Sequence, residues 1–104
     1  MADSTPDQVE QQKQHQLQQV TAAVQDPAVP KLYVNGLTVG RSLSDLFIMI
    51  MNMGAPIGLV TMSFTTAKTL EEHLHRTLHE LEKKIGKEFL TMDDIQKKLQ
   101  EAGE

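Results

Sequence analysis

The uncharged segment of this chain, residues 46–67, reads LFIMIMNMGAPIGLVTMSFTTA. It is long enough to raise the question of a membrane-spanning helix. Its middle argues against one, because Asn52, Gly54, Pro56 and Gly58 lie close together and the proline denies a helix one backbone bond. The halves on either side are rich in methionine, aromatic and β-branched residues, and each has the length of an ordinary strand. No cluster of Lys or Arg marks either end, as an oriented span would show. The segment therefore predicts two strands joined by a turn, and a small membrane protein stays as the less favoured alternative.

Around this segment the pattern predicts an antiparallel meander of three strands. The first strand is expected over residues 32–39, with a bulge at Asn35-Gly36. The second is expected to begin at residue 43 or 44 and to run through Met53, and the third to cover residues 57–64.

The second strand is apolar on both of its sides. Alternation places Leu46, Ile48 and Ile50 on one face of the sheet. The opposite face then receives Phe47, Met49, Met51 and Met53. Because a half-buried strand would be polar on one side, both faces of this sheet are expected to need a cover.

One cover is expected from a long helix that Thr65 or Thr66 caps and Gly86 ends. Its apolar positions form a single stripe: Leu70, Leu74, Leu78, Leu81 and Ile85. A short C-terminal helix follows, with Thr91 and Asp94 in the spacing of a capping box. The expected fold class is therefore α+β, a three-stranded antiparallel β-meander covered by one long α-helix.

Residues 1–30 differ in composition from the rest, and glutamine dominates between residues 8 and 25. Leu17, Val20 and Val24 would give a helix only a thin apolar stripe, so a frayed, flexible Gln-rich arm is favoured over an ordered helix. Pro27 and Pro30 end this arm. A single domain is expected over residues 31–104.

Composition narrows the classes of function. The 104 residues carry a net charge of −4, 4% aromatic residues and no cysteine. An acidic chain with few aromatic rings is unsuited to bind nucleic acid, and disulfide or thiolate chemistry has no residue to use. The N-terminus lacks the basic start and apolar core of a signal peptide, so a cytoplasmic location is expected.

Motifs for catalysis and for cofactor binding are weak. The loop GLTVGRS, residues 36–42, has the wrong glycine spacing for a phosphate-binding loop and is expected to be a turn. His75 and His79 stand four apart on the long helix and could share a metal, but a solvated helix face is the favoured interpretation. No serine has the surroundings of a nucleophile. We therefore expect a non-enzymatic protein without cofactor or bound metal.

One helix covers one face of a sheet, so the other face is expected to need a partner molecule. A homodimer is the simplest closed solution, and a methionine-rich surface also suits another protein or peptide. The candidate contacts are Phe47, Met49, Met51, Met53 and Met62. The alternative is a small-ligand or nucleotide sensor at the dimer seam, with Asn35, Arg41 and Ser42 as its contacts.

The long helix also resembles the closing segment of a bacterial family, domain of unknown function 3467. The resemblance is carried by Ala67-Lys68, by the leucines that follow, and by Glu82 and Gly86 at the family's spacing. Upstream, Tyr33 with Asn35 is similar to the family's first strand, and residues 45–49 to its second. The resemblance covers about residues 32–86, with departures at Thr66, Leu81 and Ile85. It implies a β-β-β-α arrangement and a dimer, and it implies no activity, ligand or catalytic residue.

Overall fold

The structure is a computed structural model that describes residues 5–103. The elements in chain order are α1 (Pro6–Gln25), β1 (Gly36–Arg41), β2 (Asp45–Asn52), β3 (Ala55–Ser63), α2 (Phe64–Ile85) and α3 (Met92–Ala102). The chain divides into two compact units, Met1–Asn35 and Gly36–Glu104. The α+β class with a three-stranded sheet is therefore confirmed.

The sheet of the second unit has the strand order β1-β2-β3, and both strand pairs are antiparallel. Ile48 lies opposite Val39 on one side and opposite Val60 on the other, so β2 is the central strand. The uncharged segment thus forms β2, a turn, β3 and the start of α2, as the strand interpretation of that segment predicted.

The first strand lies further along the chain than expected. It begins at Gly36, which pairs with Met51 near the end of β2. In this register residues 32–34 would lie beyond Asn52, the last residue of β2, although their side chains favour a strand. The bulge expected at Asn35-Gly36 was therefore wrong, and the irregularity lies on β3, where Ile50 pairs with Gly58 but Met51 pairs with Pro56.

Pro56 sits in an outer strand of the sheet, where a residue without a backbone N–H is tolerated. Beside it, the two-residue turn between β2 and β3 consists of Met53 and Gly54, with φ values of 54° and 83°. Two central residues with positive φ are typical of the type I′ hairpin turn, whose twist suits flanking antiparallel strands. The second strand consequently ends at Asn52, one residue earlier than predicted.

The turn between β1 and β2 is built around a serine hydroxyl. Ser42 Oγ accepts hydrogen bonds from the backbone N–H groups of Ser44, at 3.2 Å, and Asp45, at 3.1 Å. The N–H of Ser42 in turn donates to the carbonyl of Asp45 at 2.8 Å. Arg41 and Asp45 are thereby held at adjacent strand ends.

Helix α2 follows β3 without an intervening loop residue. Ser63 is both the last residue of β3 and the N-cap, and its Oγ accepts from the N–H of Thr66 at 3.1 Å. The cap therefore lies two or three residues earlier than predicted. The predicted C-terminal signal is confirmed, because Gly86 takes the left-handed conformation with φ 66°.

The packing of the second unit leaves its apolar residues open to solvent. Among the described residues none is fully buried. On α2, Ala67 and Leu70 are half-buried, whereas Leu74, Leu78, Leu81 and Ile85 are each 45–52% exposed. Helix α2 contacts β2 and β3, and α3 contacts neither the sheet nor α2. Along this stripe the expected cover of the sheet by its own long helix is therefore not confirmed.

The first unit contains α1, which begins with a capping box. Thr5 Oγ1 accepts from the N–H of Gln8 at 3.2 Å, and the Gln8 side chain accepts from the N–H of Thr5 at 3.1 Å. Every residue of α1 is exposed except Ala23, which is half-buried. A helix therefore stands where a frayed arm was favoured, and the expected flexibility of the Gln-rich segment stays a prediction.

Candidate functional site: the two faces of the sheet

Strand register assigns the side chains of the sheet to two faces. Residues directly opposite each other in neighbouring strands lie on the same face, and successive residues along one strand alternate between faces. The faces can therefore be read from the pairing of β2 with its two neighbours. Both of them present large apolar side chains that are half-buried or exposed.

We call the first of these the methionine face. It comprises Asp45, Phe47, Met49 and Met51 of β2, Gly36, Thr38 and Gly40 of β1, and Pro56, Leu59, Thr61 and Ser63 of β3. The glycines of β1 leave room for the long side chains, since a Cβ added at Gly36 would lie 3.4 Å from the Met51 methyl carbon. At the other edge Leu59 is 63% exposed. The result is an apolar strip along β2, with small or polar residues of β1 on one side, Leu59 on the other and Asp45 at one end.

We call the opposite side the aliphatic face. It comprises Leu37 and Val39 of β1, Leu46, Ile48 and Ile50 of β2, and Val60 and Met62 of β3. Arg41 at one end is its only charged residue within the paired strands. Ile50 lies over Gly58, where an added Cβ would come within 3.3 Å of its Cδ1 atom. Leu37 is nevertheless 62% exposed, so this face also lacks a cover.

The five predicted contact residues do not share one surface. Phe47, Met49 and Met51 lie together on the methionine face, as their alternation predicted. Met62 lies opposite Leu46 and thus belongs to the aliphatic face. Met53 is in the turn and is 85% exposed, outside both faces. The assignment of Met62 depends on the bulge in β3, and that of Met53 depends on the position of the turn.

The three predicted ligand contacts lie at different points of the chain. Asn35 precedes β1, Arg41 is the last residue of that strand, and Ser42 lies in the turn that follows it. Ser42 Oγ already accepts two backbone hydrogen bonds inside its turn. The small-ligand site at Asn35, Arg41 and Ser42 stays a prediction.

The histidine pair of α2 is formed as expected from its spacing. The rings of His75 and His79 stack with centroids 5.8 Å apart and an angle of 6° between their planes. Among the described residues, no group of three or more His, Cys, Asp or Glu side chains is placed to share a metal ion. The pair is a stacked contact on an exposed helix surface.

Glu82 has a structural role that the sequence pattern did not reveal. Its carboxylate accepts the N–H of Phe89 at 2.7 Å, and its carbonyl accepts the N–H of Lys87 at 3.2 Å. These bonds fold the segment after Gly86 back against the end of α2. Phe89 lies seven residues from Glu82 in an irregular segment, so no spacing rule for helices or turns predicts this bond.

Over the described residues, no helix combines the length and the apolar character that crossing a bilayer requires. No family model, curated protein or solved structure matches the chain. The resemblance to the bacterial family of unknown function consequently stays a prediction.

Proposed function

We propose that this chain is a non-enzymatic, homodimeric protein-binding module of the cytoplasm that acts without a cofactor. The observation that carries the proposal is the central strand β2. Every residue of β2 is only half-buried, although the strand is paired along both of its edges. Its exposed area therefore belongs to the two faces of the sheet, and both are apolar except for one charged residue at the end of each, Asp45 and Arg41.

The methionine face is suited to a protein or peptide partner. Methionine side chains are unbranched and polarizable, so they adapt to partners of different shape. Phe47 adds an aromatic anchor between them and the β1–β2 turn. Contiguous exposed apolar surface of this kind is typical of interaction sites.

The aliphatic face supports the homodimer. Its branched side chains resemble those of a folded core, which is the composition that permanent interfaces favour. Covering this face removes it from water in every copy of the protein, whereas the methionine face stays available. In the homodimer, the α2 helices cover the aliphatic faces.

A charge placed on the methionine face tests the binding role. In Met51→Asp a carboxylate replaces an apolar side chain next to Gly36 and Pro56. We expect the variant to keep the mass of two chains in light scattering but to lose the protein that the native chain retains in a pull-down. Desolvating a carboxylate without a partner opposes binding by several kcal/mol.

The matched control is Met92→Asp, which makes the same change on α3 at a residue that is 64% exposed. It should capture the same protein as the native chain. Equal capture by Met51→Asp and Met92→Asp would contradict the binding role, and a native chain with the mass of one copy would contradict the dimer.

A further inference from the structure

The second unit has two apolar surfaces that face solvent, and both consist of aliphatic side chains. One is the aliphatic face of the sheet. The other is the distal stripe of α2, which we define as Leu74, Leu78, Leu81 and Ile85. The distal stripe is 45–52% exposed, whereas the aliphatic face combines exposed residues of β1 and β3 with half-buried residues of β2.

The connection between β3 and α2 keeps these surfaces apart within one chain. Ser63 closes the strand and caps the helix, so no residue remains for a reversing loop. Strand-to-helix connections in which the helix returns over its sheet use about two to six residues. The half-buried apolar residues of α2, Ala67 and Leu70, lie near its beginning, and the apolar residues of the distal stripe are exposed.

We propose that α2 is exchanged between two copies, so that the distal stripe of each copy packs on the aliphatic face of the other. The proposal rests on the homodimer described above and specifies how its seam is built. Two-fold symmetry makes the exchange reciprocal, and each copy gives one helix and receives one. The arrangement closes at two chains.

The dimensions of the two surfaces agree with this exchange. Residues 74–85 of an α-helix span about 17 Å, and the eight residues of β2 span about 26 Å. The stripe therefore fits within the length of the sheet.

The apolar area also agrees with a stable seam. Fully burying a Val, Leu or Ile side chain stabilises a protein by about 1.5–3 kcal/mol, and each Å² of buried apolar surface contributes about 25 cal/mol. One such side chain therefore removes roughly 60–120 Å² from water. Of the eleven side chains on the two surfaces, seven are 40–62% exposed and the other four are half-buried, so two copies together leave roughly 500–1,000 Å² to be covered. Backbone and polar edges add to this area, and stable protein interfaces bury about 1,200–2,000 Å².

A second copy is favoured over an unrelated protein because the chain itself supplies both surfaces. Covering only the sheet with another protein would leave the distal stripe exposed, and covering only the stripe would leave the sheet exposed. Reciprocal exchange covers both with the same contact made twice.

Cross-linking with single cysteines tests the exchange directly, since the native chain contains no cysteine. Ile48→Cys lies at the middle of the aliphatic face and Leu78→Cys at the middle of the distal stripe. The two variants, which carry tags of different size, are unfolded together, refolded as a mixture and treated with a short thiol-specific cross-linker. We expect the mixed pair to exceed each same-variant pair at least fivefold.

The matched control replaces Leu78→Cys by Glu80→Cys, which lies on the other side of the same helix. Its yield of mixed pairs should fall at least fivefold. Equal yields for the two helix positions would overturn the exchange.

An NMR measurement on the unsubstituted chain tests the exchange even if the cysteine variants do not fold. One copy carries labelled isoleucine methyl groups and the other carries labelled leucine methyl groups, and NMR contacts between them are recorded. Contacts between Ile48 or Ile50 and Leu78 or Leu81 across copies are the expected result. If the chain has the mass of two copies but these contacts are absent, the exchange is overturned while the homodimer stands. If the chain has the mass of one copy, both proposals fail.

Discussion

Met53 is the residue at which local backbone preference and the fold disagree most clearly. It has φ 54°, the only positive value among the described residues other than glycine. Left-handed backbone is unfavourable for L-residues by roughly 1 kcal/mol, and Asn tolerates it best after glycine. The hairpin keeps this conformation because the pairing of β2 with β3 leaves two residues for the turn.

Met53→Asn should therefore stabilise the protein by about 1 kcal/mol. The substitution creates an Asn-Gly pair, which is the preferred sequence of the type I′ turn. Urea unfolding at a fixed protein concentration measures the change. The control is Leu43→Asn, in the other turn, where the residue is 96% exposed and φ is not positive, so no gain is expected. A loss of stability in Met53→Asn would show that the native side chain makes a contact that asparagine does not replace.

For individual helices and strands, the predictions from sequence were best where a few neighbouring residues determine the local structure. The capping box at Thr91 and the left-handed end at Gly86 are both found as expected, because each depends on a few adjacent residues. The face that carries Phe47, Met49 and Met51 also followed from simple alternation.

Outcomes that depend on a distant partner were harder to predict. Residues 32–34 have strand-forming side chains, but no strand lies opposite them. Likewise, alternation assigns Met62 to a face only when the bulge between the Ile50 and Met51 pairs is known. The candidate surface could thus be predicted as apolar, whereas its division into two faces could not.

Helix α3 should be sensitive to its cap, because it has eleven residues and no contact with another element. Isolated helices shorter than about 12–15 residues are marginal in water. Thr91 Oγ1 accepts from the N–H of Asp94 at 3.1 Å, so Thr91→Ala removes a bond that contributes about 1 kcal/mol.

We expect the carbon chemical shifts of residues 92–102 in Thr91→Ala to move toward coil values, while those of the sheet stay unchanged. Thr91→Ser keeps the hydroxyl and should keep the helix. Native-like shifts in Thr91→Ala would mean that α3 is held by packing against another chain.

The free energy of unfolding of the whole protein should depend on protein concentration. No described residue is fully buried, so one chain has little apolar area with which to offset the loss of conformational entropy on folding. For a dimer that unfolds to separate chains, a tenfold dilution weakens the folded state by about 1.4 kcal/mol.

The melting temperature should therefore fall by several degrees with each tenfold dilution, as measured by circular dichroism. Met92→Asp serves as the control, because it changes an exposed methionine of α3 and should show the same slope. A melting temperature independent of concentration would indicate that a single chain covers its own apolar residues.

The proline in the outer strand β3 affects how sheets of different copies can pair edge to edge. Pro56 offers no N–H outward, so the β3 border is a poor template for an incoming strand. The β1 border contains no proline. Head-to-tail stacking of many copies, which would need both borders, is thereby discouraged, and the chain is protected from growing into a filament.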